Sequence, residues 1–235
     1  MGSRGDFGGW GRRWLGQSLL TLGLWVLGAA PAVASGEHKV PDLRGERPMK
    51  GERAGVMLRV PLTLHVATIG DRPAFDLSRL DRSVKRANQA LRSYGIEVYV
   101  ARVVMMSDGF AEVRHRRDRR RLANYAPMDG TVHLFLVHTV ELGSVLRADR
   151  GVRGLHWRYR GLARKLRSRE YVVLGADAPP TTLVHEIGHL FGLEHDAGRQ
   201  NLMCSCREGP RQIFTPAQGE KIRRGAVRYL LRARG

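Results

Sequence analysis

Residues 185 to 196 read His-Glu-Ile-Gly-His-Leu-Phe-Gly-Leu-Glu-His-Asp, a run dense in groups that bind metals or move protons. On an α-helix, which turns by about 100° per residue, His185 and His189 stand about 40° apart on one face and about 6 Å apart along the axis, close enough to share one ion. Glu186 lies one step round the helix, beside such an ion without filling a ligand position. A continuing helix would carry His195 about 240° away from His189, so the helix must break before it. Gly192 is the residue that can take a positive φ at little cost and turn the chain back, bringing His195 in as a third ligand. Three neutral imidazoles leave the fourth position of a tetrahedral Zn2+ open to water, as a catalytic zinc site requires, and Glu186 is then placed to act as general base.

These residues need a helix packed on a core, and the sequence supplies one. Leu183, Val184, Ile187, Leu190 and Phe191 form the opposite, apolar face, and Asp177 to Thr182 provides a helix start in which Pro179 and Pro180 fit the first turn. Upstream, Val60, Leu62, Leu64 and Val66 alternate within a strand-like run from Val56 to Ile69, where Pro61 predicts an edge or a bulge. Asp76 can cap a helix carrying Leu77, Leu80, Val84, Ala87 and Leu91 that Gly95 stops. Ile96 to Met106, Thr131 to Thr139 and Tyr171 to Leu174 read as further strands, and Arg153 to Arg160 as an edge strand or loop. Arg114 to Arg121 holds six arginines and suits a solvated helix or a loop, with no chemistry assigned. Thr215 can cap a last helix running toward Leu231. His65, His133, His138 and His156 fall in strand-like or edge segments and are read as structural rather than as ligands.

The segment resembles the metzincin zinc peptidases, whose pattern H-E-x-x-H-x-x-G-x-x-H is met by His185, Glu186, His189, Gly192 and His195. Met203, in Asn201-Leu202-Met203, resembles that family's Met-turn, whose methionine forms a hydrophobic floor under the metal. Phe214-Thr215-Pro216-Ala217-Gln218 is similar to the start of its C-terminal helix. The resemblance is strong over roughly residues 171 to 220. It implies an α+β fold: a twisted mixed five-stranded sheet, an active-site helix beneath it, and a small C-terminal subdomain ending in a helix. It also implies one catalytic zinc ion and hydrolysis of protein or peptide substrates, with Asp196 bracing the turn after His195. Two features depart from the pattern. Ser205 stands two residues after Met203, where some metzincins place a tyrosine, and no cysteine precedes Cys204, so a pro-segment thiol of the kind that keeps some members latent is absent.

The rest of the 235-residue chain sets the context. Arg12 and Arg13 precede an apolar stretch from Trp14 to Ala30, and Ala32-Val33-Ala34 offers a cleavage site, so residues 1–34 are expected to be a signal peptide directing export to the cell envelope or medium. The same arginine pair partly matches a twin-arginine signal, and the uncharged run also approaches the length of a membrane anchor. Residues 35–54 read as a linker or short pro-segment, and 55–235 as one peptidase domain, with no transmembrane span expected in the mature chain. Cys204 and Cys206 are the only cysteines, so no disulfide framework is expected; a bridge within the pair, an intermolecular bridge and free thiols near the metal all stay open. Lys and Arg number 40 against 22 Asp and Glu, a balance that favours weak, salt-dependent contact with polyanions, though no nucleic-acid motif accompanies it. Three rival readings follow: a surface polyanion-binding protein with a structural zinc, a catalytically inactive metzincin relative, or another kind of zinc peptidase with a distant glutamate in place of His195.

Overall fold

The computed structural model describes residues 56–141, 153–206 and 212–232. The expected signal peptide and linker, residues 1–54, lie outside the described residues.

Strand β1 (Leu58–Ile69) directs Val60, Leu62, Leu64 and Val66 into the main core, while Thr63, His65 and Ala67 are buried on its opposite face. Both faces are covered, so its alternation separates two cores rather than core from solvent. Gly70, at φ 58°, turns the chain into the two-residue β2 (Arg72–Pro73). Asp76 then caps α1 (Leu77–Leu91), its Oδ1 accepting from the Ser78 N–H at 2.8 Å. Leu80, Val84, Ala87 and Leu91 recur at helical spacing and are buried. A 3-10 turn over Arg92–Tyr94 and Gly95, at φ 65°, end this segment, and β3 (Ile96–Met106) follows.

Next come β4 (Glu112–Val113), α2 (Arg116–Ala123), β5 (Val132–Val137), β6 (Thr139–Val140), β7 (Gly154–Arg158), β8 (Glu170–Gly175), α3 (Thr181–Leu190) and α4 (Pro216–Arg232). The arginine-rich segment is therefore a helix, held by the Asp118 carboxylate accepting from the backbone N–H groups of Arg114 and His115. Its Leu122 and Ala123 are buried while most of its guanidiniums face solvent.

The sheet runs β3-β1-β5-β8-β7, parallel throughout except for β7, which pairs antiparallel with β8. These are five long strands, as expected; a sixth, β2, is a short antiparallel ribbon folded back on the end of β1, and β4 with β6 forms a separate parallel pair. Pro61 does not mark an edge. Its strand is interior, but pairing with β5 begins only at Leu62 and the register with β3 shifts between Leu62 and Thr63, so the bulge falls beside the proline. One sheet face packs on α1, α3 and α4; the other is covered by residues around α2.

α4 begins with a reciprocal cap, in which Thr215 Oγ1 accepts from the Gln218 N–H at 3.2 Å and Gln218 Oε1 accepts from the Thr215 N–H at 2.9 Å. It buries Ile222, Ala226 and Tyr229, and Gly225 lets its backbone approach the Phe191 carbonyl at the end of α3, where a Cβ would overlap that oxygen. Among the described residues no helix is long and apolar enough to cross a membrane.

Candidate metal centre

α3 starts directly after Pro180 and carries Leu183, Val184, Ile187 and Leu190 into the core, which fixes its rotation about its own axis. The helix lies against α1 and against the β7 and β8 end of the sheet. It ends where Gly192 takes φ 96°. The Leu193 N–H reaches back to the Gly188 carbonyl at 2.8 Å and the Gly192 N–H to the His189 carbonyl at 3.0 Å, the two crossed bonds of a Schellman cap. This turn also anchors a side chain on the helix itself, because the Leu193 carbonyl it repositions accepts from His189 Nδ1 at 2.9 Å.

The chain reverses and brings His195 opposite the helical pair. His189 Nε2 lies 3.2 Å from His185 Nε2 and 3.1 Å from His195 Nε2, and one ligand atom from each of the three lies within 4.8 Å of the others. The tautomers follow from the outer nitrogens. His185 Nδ1 donates to the Leu202 carbonyl at 2.7 Å and His189 Nδ1 to that of Leu193, so both Nε2 atoms carry lone pairs turned toward a common centre. Lone pairs at such separations repel unless a cation sits among them, and imidazole nitrogens with backbone-anchored Nδ1–H groups are a donor set suited to zinc. The three residues fit the ion.

Glu186 is buried beside this centre, and burial raises its carboxyl pKa to about 7, opposed in part by a backbone hydrogen bond from His156. Desolvation lowers the pKa of His189, favouring the neutral form that binds metal.

Met203 is fully buried under the helix. A Cβ on Gly188 would lie 2.5 Å from its Sδ, so the small residue between the two helical histidines is what admits the methionine. The turn that presents Met203 is held from several sides: Asn201 Oδ1 accepts the Met203 N–H at 2.8 Å, and the Met203 carbonyl accepts the Asp196 N–H at 3.0 Å. Asp196 accepts from the Gly198 N–H at 2.7 Å through Oδ1 and from Gln218 Nε2 at 3.3 Å through Oδ2, tying the segment after His195 to the start of α4. Cys204 and Cys206, next along the chain, form a disulfide with each other, which selects one of the three thiol states left open by the sequence.

The structure does not bring the remaining histidines together in one place. His65 and His133 hydrogen-bond to each other on the other face of the sheet, and His138 is exposed at the end of β5. His156 is different. Its ring stacks beside His189 at 6.5 Å between centroids, its Nε2 contacts Glu170 Oε1 at 2.9 Å, and its backbone interacts with Glu186, so this histidine lies beside the site while standing outside the trio that converges. The cause is alternation along β7: Leu155 and Trp157 pack on the α2 side while Gly154 and His156 face α3, and Gly154 allows that approach because a Cβ there would overlap Thr182. The alternation was visible in the sequence, but which face met the helix was not.

No curated protein matches the chain in sequence. Among solved structures, a promirolysin mutant from Tannerella forsythia aligns with 76% of this chain and 86% of its own at 13% identity, TM-score 0.51. Mirolysin in complex with a compound aligns with 75% of this chain and 96% of its own at 13% identity, TM-score 0.50, and these two likenesses establish the fold. Metalloproteinase-II from Bacteroides fragilis aligns at 17% identity and TM-score 0.49 over 76% of this chain, which spans only 56% of that protein. The family model Reprolysin_5, metallo-peptidase family M12, matches residues 78–225, and the chain therefore belongs to that family of zinc metallopeptidases.

Proposed function

We propose that this protein is an exported zinc-dependent endopeptidase in which His185, His189 and His195 hold the ion and Glu186 is the general base. The observation that carries the reading is the convergence of three imidazole Nε2 atoms beside one buried carboxylate. Zinc held there would supply Lewis acidity, polarising the scissile carbonyl and lowering the pKa of the attacking water.

The chain's own residues supply the rest. The Leu193 and Leu202 carbonyls orient the two helical imidazoles, and Met203 forms the apolar floor that keeps water out beneath them. Glu186 takes a proton from the water as its oxygen bonds to the carbonyl carbon, then delivers that proton to the leaving nitrogen as the C–N bond breaks. Among the described residues β7 pairs only with β8, so its other edge is free to take an extended peptide as an added strand above α3. The leader-like residues 1–34 support export, and the Cys204–Cys206 disulfide suits an oxidising compartment.

Glu186→Gln keeps size and hydrogen bonding but cannot accept the proton. Zinc content by atomic absorption should stay near one per chain, while kcat on a cleaved peptide falls about a hundredfold to ten-thousandfold. A variant that cleaves as fast as the wild type, or a zinc-loaded wild type that cleaves no member of a broad peptide library, overturns the assignment. N-terminal sequencing of the exported protein should begin near Ser35; a membrane-retained product beginning at Met1 or Gly2 refutes export with cleavage.

A further inference from the structure

A cleft of about 850 Å³ opens between β7, the end of α3 and the C-terminal half of α4, and His189 is part of its wall, so it adjoins the metal centre. That volume suits a side chain with its flanking backbone. The walls are apolar at Leu190, Phe191 and Leu231, and into them project four arginines, Arg158, Arg160, Arg228 and Arg232, against two carboxylates, Glu170 and Glu194.

The charges are not equally available. Glu170 is buried and both of its oxygens are engaged, Oε1 by His156 at 2.9 Å and Oε2 by Arg232 at 3.3 Å. That carboxylate is neutralised inside the protein, and Arg232 is taken up in neutralising it. The guanidiniums of Arg158, Arg160 and Arg228 make no ion pair or hydrogen bond with any other described residue, and all three residues are exposed. Glu194, exposed on the turn after Gly192, is the single carboxylate left to balance three guanidiniums.

Their placement is built by the fold. Arg158 follows His156 on the face of β7 that looks toward α3, and Arg228 lies one turn beyond Gly225, where α4 touches the Phe191 carbonyl. Guanidiniums lining a concave, partly apolar surface raise the local positive potential and offer paired N–H donors that match a carboxylate. A cationic side chain entering the same space meets repulsion.

We propose that this cleft is a recognition pocket for an acidic side chain of the substrate, Asp or Glu, close to the scissile bond, with Arg158 and Arg228 as its specificity-determining residues. The proposal rests on the peptidase reading for the identity of the ligand as a peptide. A long polyanion is not the occupant the geometry favours, because the charges converge in a pocket beside the metal, whereas the arginines of α2 belong to the opposite face of the sheet.

The test uses the full mature chain, zinc-loaded, in its Glu186→Gln form so that peptides stay intact. Fluorescein-labelled nonapeptides carry one Glu at successive positions of an otherwise uncharged sequence, each with a Gln counterpart, and dissociation constants are read by anisotropy. At one position Glu should bind at least about tenfold more tightly than Gln, in the range of a charge-assisted hydrogen-bonded pair. Arg158→Glu with Arg228→Glu should abolish that preference or turn it toward Lys. Arg117→Glu, an exposed α2 change of the same charge, should retain it. If the double variant fails to fold, Arg228→Gln alone should weaken the preference at least threefold. No position favouring Glu by more than twofold, or a preference that survives loss of the pocket arginines, overturns the proposal. The same peptides are then offered to the wild-type protein. Selective binding without any cleavage leaves the pocket standing and sinks the peptidase reading, whereas cleavage indifferent to Glu does the reverse.

Discussion

His185, His189 and His195 at the end of α3, and His65 with His133 on the other face of the sheet, are clusters of the same side chain wired in opposite senses. In the first, the Nδ1–H groups of His185 and His189 point outward to the Leu202 and Leu193 carbonyls, so the Nε2 lone pairs face inward at one another. In the second, His133 Nε2 faces two acceptors, the Pro127 carbonyl at 2.9 Å and Asp129 Oδ1 at 3.1 Å, and must carry the proton. His133 Nδ1 therefore accepts from His65 Nε2 at 2.9 Å, and the donors run in a single direction toward Asp129. One arrangement leaves a hole for a cation; the other is a one-way chain that ends on Asp129 and leaves only the buried His65 Nδ1 without a hydrogen-bond partner. What distinguishes a metal site from a structural histidine pair is thus the set of acceptors around the outer nitrogens, more than the number of imidazoles.

The sharpest way to break the comparison is to truncate one histidine in each cluster. His189→Ala should release essentially all zinc, abolish the proposed activity and lower the melting temperature, because metal binding to a folded site is also folding free energy. His133→Ala should keep stoichiometric zinc yet lose roughly 2–4 kcal/mol of stability, from a buried volume removed and from His65 Nε2 left without its acceptor. Zinc analysis beside urea denaturation separates the two; loss of zinc from a folded His133→Ala protein would erase the distinction.

Acidification gives a second, smaller contrast. Burial, reinforced by repulsion from His133 and Arg102 and opposed by Asp129, lowers the His65 pKa to about 4 from an unfolded value of 6.5. Above pH 6.5 the ring is neutral in both states and its full contribution to stability is present. As the pH falls from 6.5 to 4 the unfolded chain takes up a proton that the folded chain refuses, so stability is lost, by at most about 3 kcal/mol from this group. His65→Gln keeps an N–H donor toward His133 and does not titrate. Compared at pH 7.5 and pH 5 by urea denaturation, it should lose less stability than the wild type; the acid sensitivity of the zinc ligands is common to both proteins and cancels. Equal losses would mean that His65 titrates normally.

The smallest expected effect sharpens the metal side of the comparison. Gly188→Ala adds a methyl that would meet Met203 Sδ at 2.5 Å, so the end of the methionine side chain must shift, and in this buried site the expected outcome is that the turn carrying Leu202 gives way with it. Overpacking of this kind costs roughly 1–3 kcal/mol, offset in part by the better helix propensity of alanine. Because Leu202 orients His185, zinc affinity should weaken as well, which competition with a chelator measures. An alanine variant with unchanged zinc affinity would show that the Met203 turn does not position the ligand.

The ligand trio, the carboxylate beside it and the glycine that breaks the helix are legible in eleven consecutive residues, because helical periodicity and the αL preference of glycine act over that span. The same holds for α1, whose Asp76 cap and apolar spacing are local, and for the strands that alternate or run apolar. Other parts of the site join residues far apart in the chain. His156 reaches His189, with Glu170 behind it, because β8 lies between β5 and an antiparallel β7, and because β7 turns its even-numbered residues toward α3. Met203 sits under Gly188 because the turn that carries it is tied to Asp196 and Asn201, and Arg228 lies beside the end of α3 because α4 docks through Gly225 on the Phe191 carbonyl. A period of two shows that a strand has two faces, and a period of 3.6 that a helix has one apolar side; which face meets which helix depends on strand order and packing across the whole core, and no local pattern encodes it.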